Sequence, residues 1–175
     1  MICRRVIAST AVIVAVALSE CAAAADKLIP VPAVAPGGYG EAGRVESITD
    51  GDTIRVSTRR DEDMPVRLIG IDTPEKGHPD MDAQCFAEEA STHTGELLPV
   101  GSHVRLVHDV ERTDRYGRTL AYVYRGSDDL FVNLALARDG YARQLTVPPN
   151  LAQAEVLAAA VAQARAAQRG LWAAC

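Results

Sequence analysis

The sequence predicts an α+β protein, mainly β, built on a five-stranded OB-fold β-barrel with about three helices packed against it. Two β-branched runs flank an Asp-Gly pair, which is typical of a β-hairpin. Three further segments have strand character, and the helix-compatible segments are inserted between the strands or appended after them. The 175 residues allow one domain with tails. With 48% apolar and 23% charged residues, the composition excludes wholesale disorder and a fibrous repeat.

The N-terminal segment, residues 1–25, is predicted to be a signal peptide rather than part of the fold. Two arginines precede the mostly apolar run 6–18, and small residues suit cleavage near Ala25. A membrane-spanning helix needs roughly 20 apolar residues, so we expect no transmembrane anchor. The protein is therefore expected to be exported, to the periplasm or the medium. Lipid attachment at Cys21 is the alternative.

The mature chain is predicted to begin with an arm and to continue as one domain. Residues 26–42 are rich in proline and glycine and lack a hydrophobic period, so the domain is assigned to 43–175. Cleavage removes two arginines and one glutamate, which leaves 16 basic and 22 acidic residues of the original 18 and 23. An acidic chain argues against a protein that coats nucleic acid through a large basic face.

The first half of the domain predicts three strands. Residues 44–49 and 53–58 lie on either side of an Asp-Gly-Asp turn and are expected to pair. Residues 65–71 follow a charged turn and predict a third, continuous strand. Arg67 is therefore a charged side chain within a strand.

The second half of the domain predicts two strands and three helices. In chain order these are helix 86–98, strand 103–108, strand 119–125, helix 133–138 and helix 151–168. For the last helix, Asn150 is expected to be the cap, Gln153 its partner in a capping box, and Gly170 the terminator.

Carboxylates, rather than histidines, indicate the chemistry. The sequence has no G-x-S-x-G, H-E-x-x-H or C-x-x-C pattern, and its four histidines lack ligand spacing. Asp52 follows the hairpin turn, while Asp72 and Glu75 follow the third strand. If those strands are neighbours, the three acids meet at one rim of the barrel. Such oxygen donors, together with a backbone carbonyl, suit Ca²⁺.

Two arginines extend this prediction to phosphate chemistry. Arg67 lies on the strand that leads to Asp72, and Arg118 ends the turn 112–118. Guanidinium groups bind phosphate through two hydrogen bonds and stabilise charge that develops on it. The alternative interpretation is that both arginines only pair with the acids.

Three segments resemble the signature segments of the staphylococcal nuclease family. They are 48–53, 67–75 and 112–118, they occur in the family's order, and the similarity runs from about residue 43 to 172. The resemblance implies an OB-fold barrel with three helices. It also implies a Ca²⁺-dependent phosphodiesterase that cuts DNA and RNA and leaves 3′-phosphates.

The resemblance carries metal roles over to three positions of this sequence. It implies that Asp52 and Asp72 supply carboxylates to Ca²⁺ and that Thr73 supplies its backbone carbonyl.

Catalytic and substrate-binding roles are carried over in the same way. Glu75 would act as general base or position the attacking water, and Arg67 and Arg118 would hold the phosphate. Tyr116 resembles a residue that stacks or hydrogen-bonds near the bound nucleotide; the alternative is that it fills its turn.

The chain also departs from the family's pattern. Where family members have two tyrosines lining the base pocket, residues 144–149 read QLTVPP, so weaker base stacking is expected. The segment 75–82 is also less basic, with a single lysine. Some exported relatives carry a cysteine pair similar to Cys85 and Cys175, so the resemblance favours a disulfide; two unpaired thiols are the alternative.

The favoured hypothesis is a secreted nuclease acting on DNA and RNA, expected to be a monomer without a stable protein partner. A binding module that has lost catalysis and a Ca²⁺-binding adhesion domain are the alternatives. A binding module would be expected to lack acids or arginines that this sequence keeps, and an adhesion domain leaves Arg67 and Arg118 without a purpose. The negative charge predicts weak, salt-sensitive substrate binding.

Overall fold

The computed structural model describes residues 40–175. The predicted signal peptide, its cleavage site and the alternative lipid attachment at Cys21 lie outside the described residues, as does most of the arm 26–42. The first strand begins at Glu41, two residues before the domain start predicted from the sequence. Among residues 40–175, no helix combines the length and apolar character needed to cross a membrane.

Seven strands and four helices make up the described part of the chain. The strands are β1 (Glu41–Asp50), β2 (Thr53–Thr58), β3 (Met64–Leu68), β4 (Gly70–Asp72), β5 (His103–Val107), β6 (Thr119–Arg125) and β7 (Arg143–Leu145). The helices are α1 (Ala87–Leu97), α2 (Val132–Asp139), α3 (Ala154–Ala166) and α4 (Leu171–Ala174). The fourth helix, of four residues, is one more than the sequence predicts.

Five strands close into a barrel in the order β1-β2-β3-β6-β5, which confirms the predicted fold class. β1 and β2 form the predicted hairpin, with Asp50 opposite Thr53. β3 and β6 are parallel neighbours, whereas the other barrel pairs are antiparallel. Apolar side chains that point inward fill the barrel and are fully buried, among them Val45, Ile54 and Leu106. Burying these side chains provides the main driving force for closing the sheet.

The prediction of one continuous strand over 65–71 is wrong, because the chain leaves the barrel at Ile69. Gly70 has a φ of +84°, a conformation that interrupts a strand and favours glycine. A side chain at Gly70 would also lie 2.4 Å from Cδ1 of Leu157 in α3. The carbonyl of Ile69 accepts a hydrogen bond from the buried side chain of Asn133 in α2, at 2.9 Å. β4 then pairs with β7, a strand that the sequence analysis does not predict.

The helices α1 and α2 begin and end within one residue of their predicted bounds. The capping of α3 differs from the prediction. This helix begins at Ala154, and Gln153, the residue before it, makes no side-chain capping bond. Asn150 is not the cap, because its carboxamide binds the main chain of Glu111 through both its oxygen, at 2.8 Å, and its nitrogen, at 3.0 Å. Gly170 does not end α3 either; it precedes α4.

The C-terminus is joined to the start of α1. The sulfur atoms of Cys85 and Cys175 lie within disulfide-bonding distance, with Cα atoms 6.1 Å apart, as the resemblance implied. The pair connects positions 90 residues apart in the sequence and fixes the last helix beside the first.

Candidate active site

Asp52 directly precedes β2 and is almost completely buried, with 1% of its surface exposed. Its Oδ2 accepts a hydrogen bond from the main-chain nitrogen of Thr73 at 2.8 Å, and its Oδ1 accepts one from the hydroxyl of Thr53 at 3.2 Å. A side chain at Gly51 would meet the Thr73 side chain at 2.7 Å, so the glycine allows this close approach. The Asp-Gly-Asp turn therefore packs directly against the segment that follows β4.

The guanidinium of Arg67 lies between two carboxylates. Its Nη1 is 3.0 Å from Oδ2 of Asp52, and its Nη2 is 3.3 Å from Oδ1 of Asp72. Nη1 also donates to the carbonyl of Leu68 at 2.7 Å. Arg67 is 8% exposed, and a buried charge of this kind requires such partners. Arg67 is thus paired with both acids, and this pairing brings the two carboxylates together.

Burial is the main influence on the ionisation of the Asp52 carboxyl. Burial raises its pKa to about 7, although the Arg67 guanidinium and the Thr73 amide act in the opposite direction. The nearby carboxylates of Asp50 and Glu75 raise this pKa further. Because a cation at this position would favour the ionised form, the environment of Asp52 fits a metal ligand.

Glu75 follows β4 and is half-buried beside the same groups. Burial raises the pKa of Glu75, and the carboxylates of Asp50 and Asp72 add to this effect. The guanidinium groups of Arg67 and Arg118 oppose it. These interactions place Glu75 among both arginines and the acids. A raised pKa is typical of a carboxylate that exchanges protons during catalysis.

Arg118 is oriented by Asp114, which organises the whole turn. Oδ1 of Asp114 accepts hydrogen bonds from the main-chain nitrogens of Tyr116 and Arg118, each at 2.9 Å, and its Oδ2 accepts one from Nε of Arg118 at 2.8 Å. Burial raises the pKa of Asp114, but the bonds from Arg118 and Tyr116 outweigh it and hold the pKa below its usual range. Asp114 thus binds Arg118 through Nε, and no hydrogen bond from its two terminal nitrogens is among those described for residues 40–175.

A cavity of about 760 Å³ brings the two arginines to one surface. Arg67, Tyr116 and Arg118 line it together with an apolar wall that includes Leu145 and Val147. Tyr116 is 68% exposed. Its hydroxyl accepts a hydrogen bond from Nη2 of Arg115 at 2.6 Å, and the guanidinium of Arg118 lies 5.6 Å from the centre of its ring. A volume of this size accommodates a nucleotide-sized ligand, and the side chains of both arginines belong to its lining.

Sequence reasoning missed three residues that organise the site. Asp114 orients Arg118, Asn150 lines the cavity and binds Glu111, and Asp50 adds negative charge beside Asp52. The turn sequence around Asp114 offered a signal, because aspartate commonly binds main-chain amides two residues ahead. The role of Asn150 depends on a contact between residues 39 apart, which local sequence does not reveal.

The donors available for a cation are all oxygen. In the described part of the chain, no group of three or more His, Cys, Asp or Glu side chains is close enough to form a metal cluster. Asp52 and Asp72 nevertheless share one guanidinium, and the main chain of Thr73 lies against Asp52. Two carboxylates with an adjacent backbone carbonyl match the ligand chemistry of a hard divalent cation.

Comparison with known proteins agrees with this arrangement. The family model described as staphylococcal nuclease homologue matches residues 65–174. The thermonuclease of Staphylococcus intermedius is 41% identical over 133 residues, which cover 76% of this chain and 77% of that protein. The thermonuclease of Staphylococcus hyicus is 38% identical over 129 residues, or 74% of each chain.

A longer relative contains a similar segment. The endonuclease YhcR of Bacillus subtilis (strain 168) is 33% identical over 150 residues, which cover 82% of this chain but 12% of that protein. The family match covers more than half of the sequence, and it includes Arg67, Glu75 and Arg118. This protein is thus a member of the staphylococcal nuclease family.

Proposed function

We propose that this protein is a nuclease that hydrolyses phosphodiester bonds of DNA and RNA. The observation that carries the proposal is the convergence of Arg67 and Arg118 on one cavity. Asp52 and Asp72 contact Arg67 directly, and the charge of Glu75 interacts with both arginines. The named activities of the similar thermonucleases support it. A binding module would not require a half-buried glutamate next to two phosphate-binding groups.

We further propose Ca²⁺ as the cofactor. Asp52 and Asp72 would hold it through their carboxylates and Thr73 through its backbone carbonyl, since these are the hard oxygen donors that Ca²⁺ prefers. When bound, Ca²⁺ would supply Lewis-acid polarisation of a phosphoryl oxygen.

The side chains of Arg67, Arg118 and Glu75 have separate roles in the reaction. Arg67 and Arg118 bind the scissile phosphate and offset the charge that develops on its oxygens in the transition state. Glu75 directs a water molecule in line with the leaving 5′ oxygen and takes up its proton. A bond forms between the water oxygen and phosphorus, the bond from phosphorus to the 5′ oxygen breaks, and that oxygen takes a proton from solvent. The products carry a 3′-phosphate and a 5′-hydroxyl.

Incubation of the mature protein with single-stranded DNA or RNA tests the proposal. We expect acid-soluble nucleotides in Ca²⁺, none in chelator, and at least a roughly 100-fold loss of rate for Glu75→Gln and Arg67→Ala. Glu62→Gln and Arg59→Ala, which change exposed residues of the loop between β2 and β3, are the matched controls and should retain the full rate. A wild-type protein that releases no nucleotide would overturn the enzyme assignment, and activity in chelator would overturn the metal.

Phosphatase treatment of the products tests the position of the cut. Terminal phosphate that a 3′-specific phosphatase removes is expected, whereas a 5′-phosphate would contradict the proposed direction of attack.

We also propose that the protein is exported after cleavage near Ala25 and acts as a monomer. The charged, apolar and small-residue segments of the N-terminus support export. N-terminal sequencing of the processed protein should begin at Asp26. A lipid-modified N-terminus at Cys21 would contradict this, and a mass in solution near twice that of the chain would contradict the monomer.

A further inference from the structure

Both main-chain hydrogen-bonding groups of Glu75 are bound by a single residue. Oε1 of Gln84 accepts a hydrogen bond from the main-chain nitrogen of Glu75 at 3.1 Å. In return, the main-chain nitrogen of Gln84 donates to the carbonyl of Glu75 at 3.0 Å. The two residues thus close the loop 75–84 at its base.

The loop is organised within itself as well. The main chains of His78 and Met81 exchange two hydrogen bonds of 2.9 Å. A side chain at Gly77 would lie 2.9 Å from the main-chain nitrogen of Ala83, so the two limbs of the loop are in close contact. These internal bonds connect residues near the tip of the loop. Among the hydrogen bonds described for this loop, only those with Gln84 involve the main chain of Glu75.

Gln84 is in turn fixed to the scaffold on its C-terminal side. Its carbonyl accepts a hydrogen bond from the first residue of α1, Ala87, at 3.2 Å, and the next residue is Cys85, which pairs with Cys175. Near the other end of α1, the fully buried hydroxyl of Thr94 donates to the carbonyl of Gly51 at 2.6 Å. One helix therefore connects the segment holding Glu75 with the turn that carries Asp52.

We propose that Gln84 is a positioning residue, which fixes the main chain of Glu75 so that its carboxylate keeps its place relative to Asp52 and the two arginines. Gln84 is exposed and has no role in forming the barrel core, so its side chain contributes to the position of Glu75 rather than to the fold. The proposal rests on the catalytic role proposed for Glu75. Small displacements of a catalytic group have large effects on rate, because near-attack geometry is lost.

Kinetics of Gln84→Ala provide the first test. We expect kcat to fall about 10-fold while KM changes less than about twofold, because the phosphate-binding groups are untouched. Gln84→Glu keeps an acceptor oxygen for the Glu75 amide and should recover most of kcat at pH 8. Gln168→Ala removes another exposed glutamine that binds a main-chain group, the carbonyl of Arg165, and should leave kcat unchanged.

A double-variant cycle separates positioning from a general structural effect. If Gln84 acts through Glu75, adding Gln84→Ala to Glu75→Gln should not lower the residual rate further. An equal loss in both backgrounds, or a kcat of Gln84→Ala equal to that of the wild type, would overturn the proposal.

Amide hydrogen exchange gives a measurement that does not depend on activity. The Glu75 amide should exchange at least about 10-fold faster in Gln84→Ala than in the wild type, with core amides of β2 unchanged. Unchanged exchange at Glu75 would overturn the positioning role even in an active enzyme. An inactive wild type would overturn the proposed function instead, and the exchange rates would still show whether Gln84 holds Glu75.

Discussion

The main-chain nitrogen of Thr73 lies 2.8 Å from Oδ2 of Asp52, across 21 positions of sequence. This bond joins the turn between β1 and β2 to the segment that leaves β4. It orients the Asp52 carboxylate and does not involve the carbonyl of Thr73, which is the proposed metal ligand. The bond therefore assembles two of the three proposed metal donors before any metal binds.

Asp52→Asn is expected to abolish activity and to weaken the pH dependence of stability in the metal-free protein. The pKa of Asp52 is about 7 in the folded chain and near 3.8 in the unfolded chain, so the folded chain binds this proton more tightly. Stability conferred by the protonated group is present at pH 4 and is lost as the pH rises toward 7. In chelator, the unfolding free energy of the wild type should therefore fall more between pH 4 and pH 8 than that of Asp52→Asn, which has no carboxyl to titrate at this position.

Urea unfolding with and without Ca²⁺ checks this prediction. Ca²⁺ should raise the unfolding midpoint of the wild type but not that of Asp52→Asn, because a ligand stabilises only the state that binds it. An equal pH dependence of the two proteins in chelator would contradict the account of Asp52.

Arg118→Lys should reduce kcat/KM about 100-fold or more without changing stability measurably. Lysine has no equivalent of Nε, so it cannot bind Asp114 and present two further donors to a phosphate at the same time. Steady-state kinetics and thermal unfolding measure the two quantities. Arg59→Lys, in the exposed loop after β2, is the control. A loss of less than about threefold would show that Arg118 only stabilises its own turn.

His93→Gln should destabilise the fold more at pH 5.5 than at pH 9. Nε2 of His93 lies 3.3 Å from Oδ2 of Asp139 in α2, and its Nδ1 lies 3.2 Å from Oε2 of Glu96. The hydrogen bond to Asp139 raises the pKa of His93 despite its burial, and the bond to Glu96 adds to this. The resulting stability is complete below about pH 6.5 and is lost as the pH rises through the folded pKa.

The pKa of Asp139 determines the lowest pH at which its interaction with His93 contributes to stability. Burial raises its pKa, but the bonds from His93 and Arg138 outweigh this and lower it to about 2. Its contribution is therefore present above about pH 4 and is lost as the pH falls toward 2.

We expect a loss of roughly 1 kcal/mol for His93→Gln at pH 5.5 by urea unfolding. The exposed His103→Gln is the control, and an equal loss for His93→Gln at both pH values would contradict the prediction.

Reduction of the Cys85–Cys175 pair should cost on the order of 3–5 kcal/mol of unfolding free energy, because the link spans 90 positions and restricts the unfolded chain. The double variant Cys85→Ala/Cys175→Ala should show the same loss and no response to reductant. Intact mass should rise by two hydrogen atoms on reduction. An identical mass before and after reduction would contradict the disulfide.

The barrel strands and the first two helices could be predicted because their signals are local. The Asp-Gly turn predicts the hairpin of β1 and β2, and the alternating apolar residues predict β6. The break at Gly70 was missed because the residues on either side of it continue an apolar pattern. Its positive φ and the close approach of Leu157 are visible only in the folded chain. β7 was missed because its three residues are all exposed and only Leu145 is apolar. Such a short segment has no hydrophobic periodicity that would indicate a strand.

Sequence motifs predicted the candidate site residues, but they did not predict the residues whose hydrogen bonds position the site. Asp52, Arg67 and Asp72 lie in contact through one guanidinium, in the order that the motifs suggested. Gln84 and Asn150 act through side-chain bonds to distant main-chain groups. Glutamine and asparagine at such positions look like ordinary loop or cap residues, because the partner is specified only by the folded chain.

The link between Cys85 and Cys175 has a further consequence for a protein exposed to proteases. The exposed turn that contains Arg115 and Tyr116 lies between the two cysteines in the sequence. With the disulfide formed, a single proteolytic cut in this turn leaves two polypeptides that remain covalently joined. The nicked protein would run as one band on a non-reducing gel and as two bands after reduction, and its halves could not diffuse apart.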